Sequence, residues 1–190
     1  LNVVAYRVPA KVSLMRESRC PHCGSAIKPW QNVPVVSWIA LRGRCATCKS
    51  PISTRYPIVE AVTGVAFAGV TWWALASAGL TTGQMLTASE TWALALVIVA
   101  YLYFAAISIV LTLIDLDTHR LPNSIVLPSY LVAGTLFTVA AWLTGDGSAL
   151  LVAGVGMAAM YLFYFLLRAA RPGGMGGGDV KLAGVIGIYL

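Results

Sequence analysis

Charge is scarce in this chain. Asp, Glu, Lys and Arg make up only 11% of the 190 residues, against 58% hydrophobic. The mean hydropathy of +0.79 lies well above that of water-soluble domains, so an ordinary soluble fold is excluded. Basic residues are missing from the connections near 79–90 and 145–148, whereas nine of the thirteen Lys and Arg lie before residue 57. The opening residues show neither a basic start nor a cleavage site, so they are not expected to be a signal peptide. There is also no glycine-rich strand-to-helix nucleotide fingerprint. Cysteine is absent outside one loop, and acids number only seven, so each can be examined singly.

What is abundant is apolar length. Four runs, near 58–78, 91–114, 124–144 and 149–168, each supply the roughly 20 residues a spanning helix needs, and a fifth begins near 180. Lipid offers backbone groups no partner, so the runs are expected to be helices, with Pro, Gly and Asp clusters turning the chain between them. The expected fold class is all-α: a polytopic transmembrane helical bundle carrying a small cytoplasmic zinc-ribbon-like loop module. Residues 1–9, "LNVVAYRVP", read as the end of a truncated first membrane helix, 10–56 as the module and 57–190 as the membrane core. The missing initial Met and the stop at Leu190 inside an apolar run read as a piece of a longer protein.

The basic residues set the orientation. Residues 10–56 are expected in the cytoplasm. Counting helices from there puts the connection with Arg120 and the one with Arg168 and Arg171 on the same side. The net charge of +6 is then that of loops beside an anionic leaflet and calls for no nucleic acid.

Cys20, Cys23, Cys45 and Cys48 stand as "CPHC" and "CATC", two CxxC knuckles separated by 21 residues. Two such turns close a tetrahedral thiolate site with no open position, so the expectation is one structural zinc ion. Redox chemistry at CxxC and unrelated thiols are the alternatives, and a reducing cytoplasm argues against disulfides. His22 reads as a turn residue, because four thiolates fill the shell.

Two acids flank membrane segments. Asp115 follows "YFAAISIVLTLI" directly and opens "DLDTHRLPN"; Asp179 follows "GGMGGG" and precedes an apolar run. Both are expected at the cytoplasmic face. Acids at this depth are costly unless paired or hydrated, and two that approach can share one proton. Such a pair can also take a proton from a water while polarising a peptide carbonyl, the aspartic protease scheme. The bland alternatives are a helix cap for Asp179 and solvated boundary residues for Asp115 and Asp117. Asp115 is preferred over Asp117 because it abuts the apolar run. The glycines, Gly176 and Gly178 among them, are expected to allow positive φ and to let a substrate strand approach. Lys181 either supports the anionic form of Asp179 or snorkels to the headgroups. His119 and Arg120 read as anchors at the membrane face, and Glu60 as an acid placed favourably for a helix dipole.

The "GGGD" of 176–179, "DLDTHRLPN", the paired knuckles, "LNVVAYRVP" and "STRYPIVEAVTG" at 53–64 together resemble the bacterial type IV prepilin leader peptidases. The resemblance implies a multi-pass aspartic endopeptidase of the bacterial inner membrane. Such an enzyme removes the basic leader of prepilins and pseudopilins on the cytoplasmic side, with Asp115 and Asp179 as the catalytic pair. It also implies N-methylation of the new N-terminus with S-adenosylmethionine, to which Glu60 is a candidate contributor. The competing classes are another GxGD intramembrane protease, against which the four-cysteine loop argues, and a non-enzymatic scaffold or transporter with a zinc-binding loop.

Overall fold

The computed structural model describes residues 1–171 and 173–190. The chain is helical, and among the described residues there are no strands, only two isolated bridges, Arg19 with Ala26 and Arg44 with Pro51. Among the described residues, seven α-helices follow one another: α1 Asn2–Arg7, α2 Val36–Ala40, α3 Arg55–Ser77, α4 Ala88–Thr118, α5 Asn123–Thr144, α6 Ser148–Ala170 and α7 Gly177–Ile188. The helices α3 to α6 are long and apolar enough to cross a membrane, as the four apolar runs imply. The chain forms two compact units, Leu1–Ala66 and Phe67–Leu190.

Local sequence sets the helix ends. Thr87 and Glu90 form a reciprocal capping box at the start of α4, the Glu90 carboxylate accepting from Thr87 N–H at 2.8 Å, so this helix begins before its apolar run. At its other end His119 adopts the left-handed conformation, φ 52°, and donates its N–H to the Asp115 carbonyl at 2.8 Å. That is a C-terminal stop of the kind usually given to glycine. His119 thus ends a helix, a more specific duty than anchoring. Pro122 then caps α5, and Gly145, φ 71°, closes it.

In the second unit, α7 is the central element. Val185 and Ala183 are fully or almost fully buried, and Val185 and Tyr189 belong to one buried cluster with Ala100, Ile107, Leu111, Val126 and Ala133. The Tyr189 ring stacks on Phe104 at 4.3 Å and meets Tyr101 and Phe137 edge-on. The tyrosine hydroxyls find backbone carbonyls, Tyr189 to Ala100 and Tyr101 to Tyr189, which removes the cost of burying them. On its other side α7 crosses α6 at Gly156 and Gly187, where a Cβ on Gly187 would fall within 2.2 Å of the Gly156 carbonyl oxygen. Small residues allow this backbone approach between apolar helices, where dispersion and close packing hold the pair. Because Tyr189 lies beside Ala100, α7 runs antiparallel to α4, and its first turn lies at the end of the bundle where α4 stops.

Candidate functional site

The first candidate site is the cysteine module. The knuckles are two copies of one local structure, "RCPHCGSAI" at 19–27 and "RCATCKSPI" at 44–52. In each, the first cysteine N–H donates to the serine carbonyl five residues on, Cys20 to Ser25 and Cys45 to Ser50. The residue after the second cysteine turns left-handed in both, Gly24 at φ 67° and Lys49 at φ 60°. A serine hydroxyl lies beside that cysteine, Ser25 at 3.0 Å from Cys23 Sγ and Ser50 at 3.1 Å from Cys48 Sγ.

The four Sγ atoms lie within 4.8 Å of one another, with Cys20 and Cys48 at 3.8 Å. Zinc–sulfur bonds of about 2.3 Å put tetrahedral sulfurs about 3.8 Å apart, so the cluster is sized for such an ion. The N–H groups of Cys23 and then His22 lower the Cys20 thiol from 9.0 to about 6, favouring the thiolate that binds metal. No disulfide forms.

Around the module, Arg7 has a role that its sequence position conceals. It is 8% exposed, and its guanidinium donates to the carbonyls of Ser13, Leu14, Arg16 and Glu17. One side chain thereby fixes the loop entering the first knuckle. Glu60, six positions into α3, accepts the Val35 N–H at 2.8 Å, a backbone contact in addition to any helix-dipole benefit.

The second candidate site lies at the end of the bundle where α4 stops and α7 starts. Asp179 is the third residue of α7 and caps the helix start from within its first turn. Its Oδ2 accepts the Gly176 N–H at 2.9 Å, satisfying one of the donors that a helix start leaves open. The glycines ahead of it serve close approach more than unusual φ: within 173–178 only Gly173, at φ 84°, is left-handed. A Cβ on Gly178 would sit 2.9 Å from Leu121 Cβ, and one on Gly177 would sit 2.7 Å from Arg168 Nη1. Gly178 is therefore covered by Leu121, and Gly176 remains exposed.

Lys181 follows Asp179 by two positions, about 200° around the helix. Its ammonium reaches Asn123 Oδ1 at 3.0 Å instead of the Asp179 carboxylate. The first turn of α7 is thus fastened to Leu121 in the connection that leaves α4 and to Asn123 at the start of α5.

Helical register separates Asp115 from Asp117. Phe104, Leu111 and Asp115 are spaced by seven and four residues, so they share one face of α4 within about 40°. That is the face whose Phe104 stacks on Tyr189, the residue that follows α7. Asp117 is about 200° from Asp115 and occupies another face. Asp115 is exposed and Asp179 half-buried, and Leu182, one turn beyond Asp179, packs on the core.

Comparison with known proteins gives two family matches. The type IV leader peptidase family matches residues 102–190, and the bacterial peptidase A24 N-terminal domain matches residues 1–74. The chain is 35% identical over 221 residues to a prepilin leader peptidase/N-methyltransferase of Neisseria gonorrhoeae, covering 100% of this chain and 69% of that protein. The chain belongs to the type IV leader peptidase family.

Other prepilin leader peptidase/N-methyltransferases are 39% identical in Burkholderia pseudomallei strain K96243, where 96% of this chain covers 54% of the relative, and 34% identical in Myxococcus xanthus, where 100% covers 52%. The chain thus spans from about half to about two thirds of these relatives. No solved structure matches it significantly. Within the leader peptidase family match lie Asp115, Asp179 and the Asn123–Lys181 fastening; within the N-terminal match lie the four cysteines, Arg7 and Glu60. Sequence reasoning had missed the roles of Arg7, Asn123 and Leu121. The repeated "RC" and "S" positions of the knuckles were a signal for the module's internal symmetry.

Proposed function

We propose that this chain carries the catalytic core of an inner-membrane aspartic endopeptidase that removes the leader of type IV prepilins and pseudopilins at the cytoplasmic face. The single observation that supports the reading most is the fastening of the Asp179 turn to the α4–α5 connection and the first residue of α5, through Gly178 against Leu121 and Lys181 with Asn123. Asp115 lies on the α4 face shared with Phe104. In this reading one carboxylate draws a proton from a water, which attacks the scissile carbonyl, while the other, protonated, donates to the carbonyl oxygen. The proton taken first is then available to the leaving amine. The roles belong to the pair and are not divided between its members.

The four cysteines hold one zinc ion in a closed shell, with a structural role that stabilises the loop. S-adenosylmethionine is suggested by the N-methyltransferase in the names of relatives. The residues described do not form a recognisable site for it: Glu60 is engaged by Val35 N–H, and no described buried side-chain polar atom lacks a partner. We therefore assign that group no step. Membership of a peptidase family gives the scaffold or transporter alternative no support.

The reading is tested by incubating the full chain in detergent with a leader-bearing prepilin peptide and locating any cut by mass spectrometry. Cleavage at the leader junction is expected. Uncut peptide with folded, zinc-loaded protein would refute it.

A further inference from the structure

The segment Val33–Ala40, "VPVVSWIA", departs from the picture of a wholly cytoplasmic loop. Val35 has φ 60° and ψ −50°, and the Val36 N–H bonds back to the Pro34 carbonyl. This is a γ-turn of the rare positive-φ kind, at a β-branched residue for which that conformation is strained. Such strain persists only when the surroundings enforce it. Here the Val35 N–H is held by Glu60 Oε2 at 2.8 Å. Glu60 sits about 8 Å along α3 from its start, inside a helix long and apolar enough to span a bilayer.

The helix that follows is sided. Trp38 points into the module, its Nε1 donating to the Ile52 carbonyl at 3.2 Å, with Gly43 against its ring. Val36 and Ile39 point out, each 63% exposed, with Val33 also exposed. The neighbouring stretch of α3 also presents apolar residues outward, Ile58, Val62 and Val65. Basic residues surround the segment in the sequence: Lys28, Arg42 and Arg44 are exposed, and residues 1–56 hold nine Lys and Arg against one acid, Glu17.

We infer that Val33–Ala40 is an interfacial membrane segment whose apolar face, led by Val36 and Ile39, lies in the headgroup and upper acyl zone of an anionic bilayer, with Glu60 tethering it to α3. The physical sense of the tether follows from the solvent. Irregular backbone at membrane depth needs every polar group satisfied, and the Glu60 carboxylate satisfies the N–H exposed by the turn. An amphipathic face flanked by Lys and Arg complements anionic lipid. The inference stands apart from the peptidase reading, because its readout is lipid contact and not cleavage.

The test uses the full chain in vesicles containing phosphatidylglycerol, with a benzophenone amino acid in place of Ile39, of Val65 as a lipid-facing reference, or of Thr47, which is exposed on the second knuckle. After illumination, lipid adducts at position 39 are expected at a yield close to that at 65 and about tenfold above that at 47. In a Glu60→Ala background the yield at 39 should fall severalfold, and Glu60→Gln should preserve most of it. A yield at 39 no higher than at 47, or adducts carried by a second copy of the chain in place of lipid, would overturn the placement. An unchanged yield in Glu60→Ala would overturn the tether.

Discussion

Lys181 donates from its ammonium to Asn123 Oδ1 at 3.0 Å, joining residues 58 positions apart and fixing the first turn of α7 to the first turn of α5. The backbone carbonyl of the same lysine accepts from the Tyr130 hydroxyl, so α7 is held to α5 at two levels. In the proposed peptidase, this fastening holds the turn that carries Asp179, whose carboxylate accepts the Gly176 N–H.

Loss of the fastening should therefore lower turnover more than binding. Lys181→Met is expected to reduce kcat about 10- to 100-fold, the cost of misplacing a reacting group by about an ångström, with little change in KM. Asn123→Asp, which keeps an acceptor for the ammonium, should retain most activity. Steady-state kinetics on a prepilin peptide separate the two, and equal losses in both variants would argue against a positioning role.

The Gly156–Gly187 crossing gives a stability prediction that does not depend on chemistry. A side chain on Gly187 would meet the Gly156 carbonyl oxygen at 2.2 Å, so α6 and α7 must separate to admit it. Gly187→Val should cost about 1–3 kcal/mol by overpacking and lower the detergent melting temperature by several degrees. Gly154→Ala, where nothing lies within 4 Å of an added Cβ, is the matched control and should leave the melt unchanged.

Metal binding is checked by elemental analysis. Wild-type protein should carry about one zinc ion per chain, and Cys20→Ser or Cys48→Ser should carry far less. Chelation should loosen the module, seen as faster amide exchange across 19–27 and 44–52. The second unit, Phe67–Leu190, should keep its protection.

A pH effect is expected at the start of α6. Asp146 Oδ1 accepts from both the hydroxyl and the N–H of Ser148, and these bonds, the hydroxyl foremost, hold its carboxyl below the usual 3.8. A carboxyl depressed on folding adds stability above its unfolded pKa, and that contribution is lost as pH falls through the lower folded value. A carboxyl-carbon NMR titration should place the Asp146 midpoint below 3.8 in wild type and higher in Ser148→Ala.

Much of the fold was legible because lipid makes a strict grammar of length and polarity. The four apolar runs are helices long enough to span, with Pro, Gly and Asp clusters between them; the Thr87–Glu90 capping box and the stop at His119 came only with the structure. The cysteine spacing foretold a four-sulfur cluster for the same local reason. What stayed hidden was long-range pairing. Arg7 counted as one more basic residue near a membrane, yet it is buried among four carbonyls. The glycines before Asp179 suggested unusual φ, but Gly178 is needed because Leu121 lies against it. Lys181 stood near Asp179 in sequence, and helical rotation sends it to Asn123. Glu60 showed its charge but not the strained turn at Val35 that it holds.

The most direct measurement of the central claim is cleavage of a leader-bearing prepilin by the full chain with Asp115, Asp117 or Asp179 replaced singly by Asn, each variant first shown to be folded. Asp115→Asn and Asp179→Asn are expected to lose about 10²-fold or more in rate, the scale of a lost acid–base group, while Asp117→Asn stays near wild type. Full activity in Asp115→Asn or in Asp179→Asn would contradict the account.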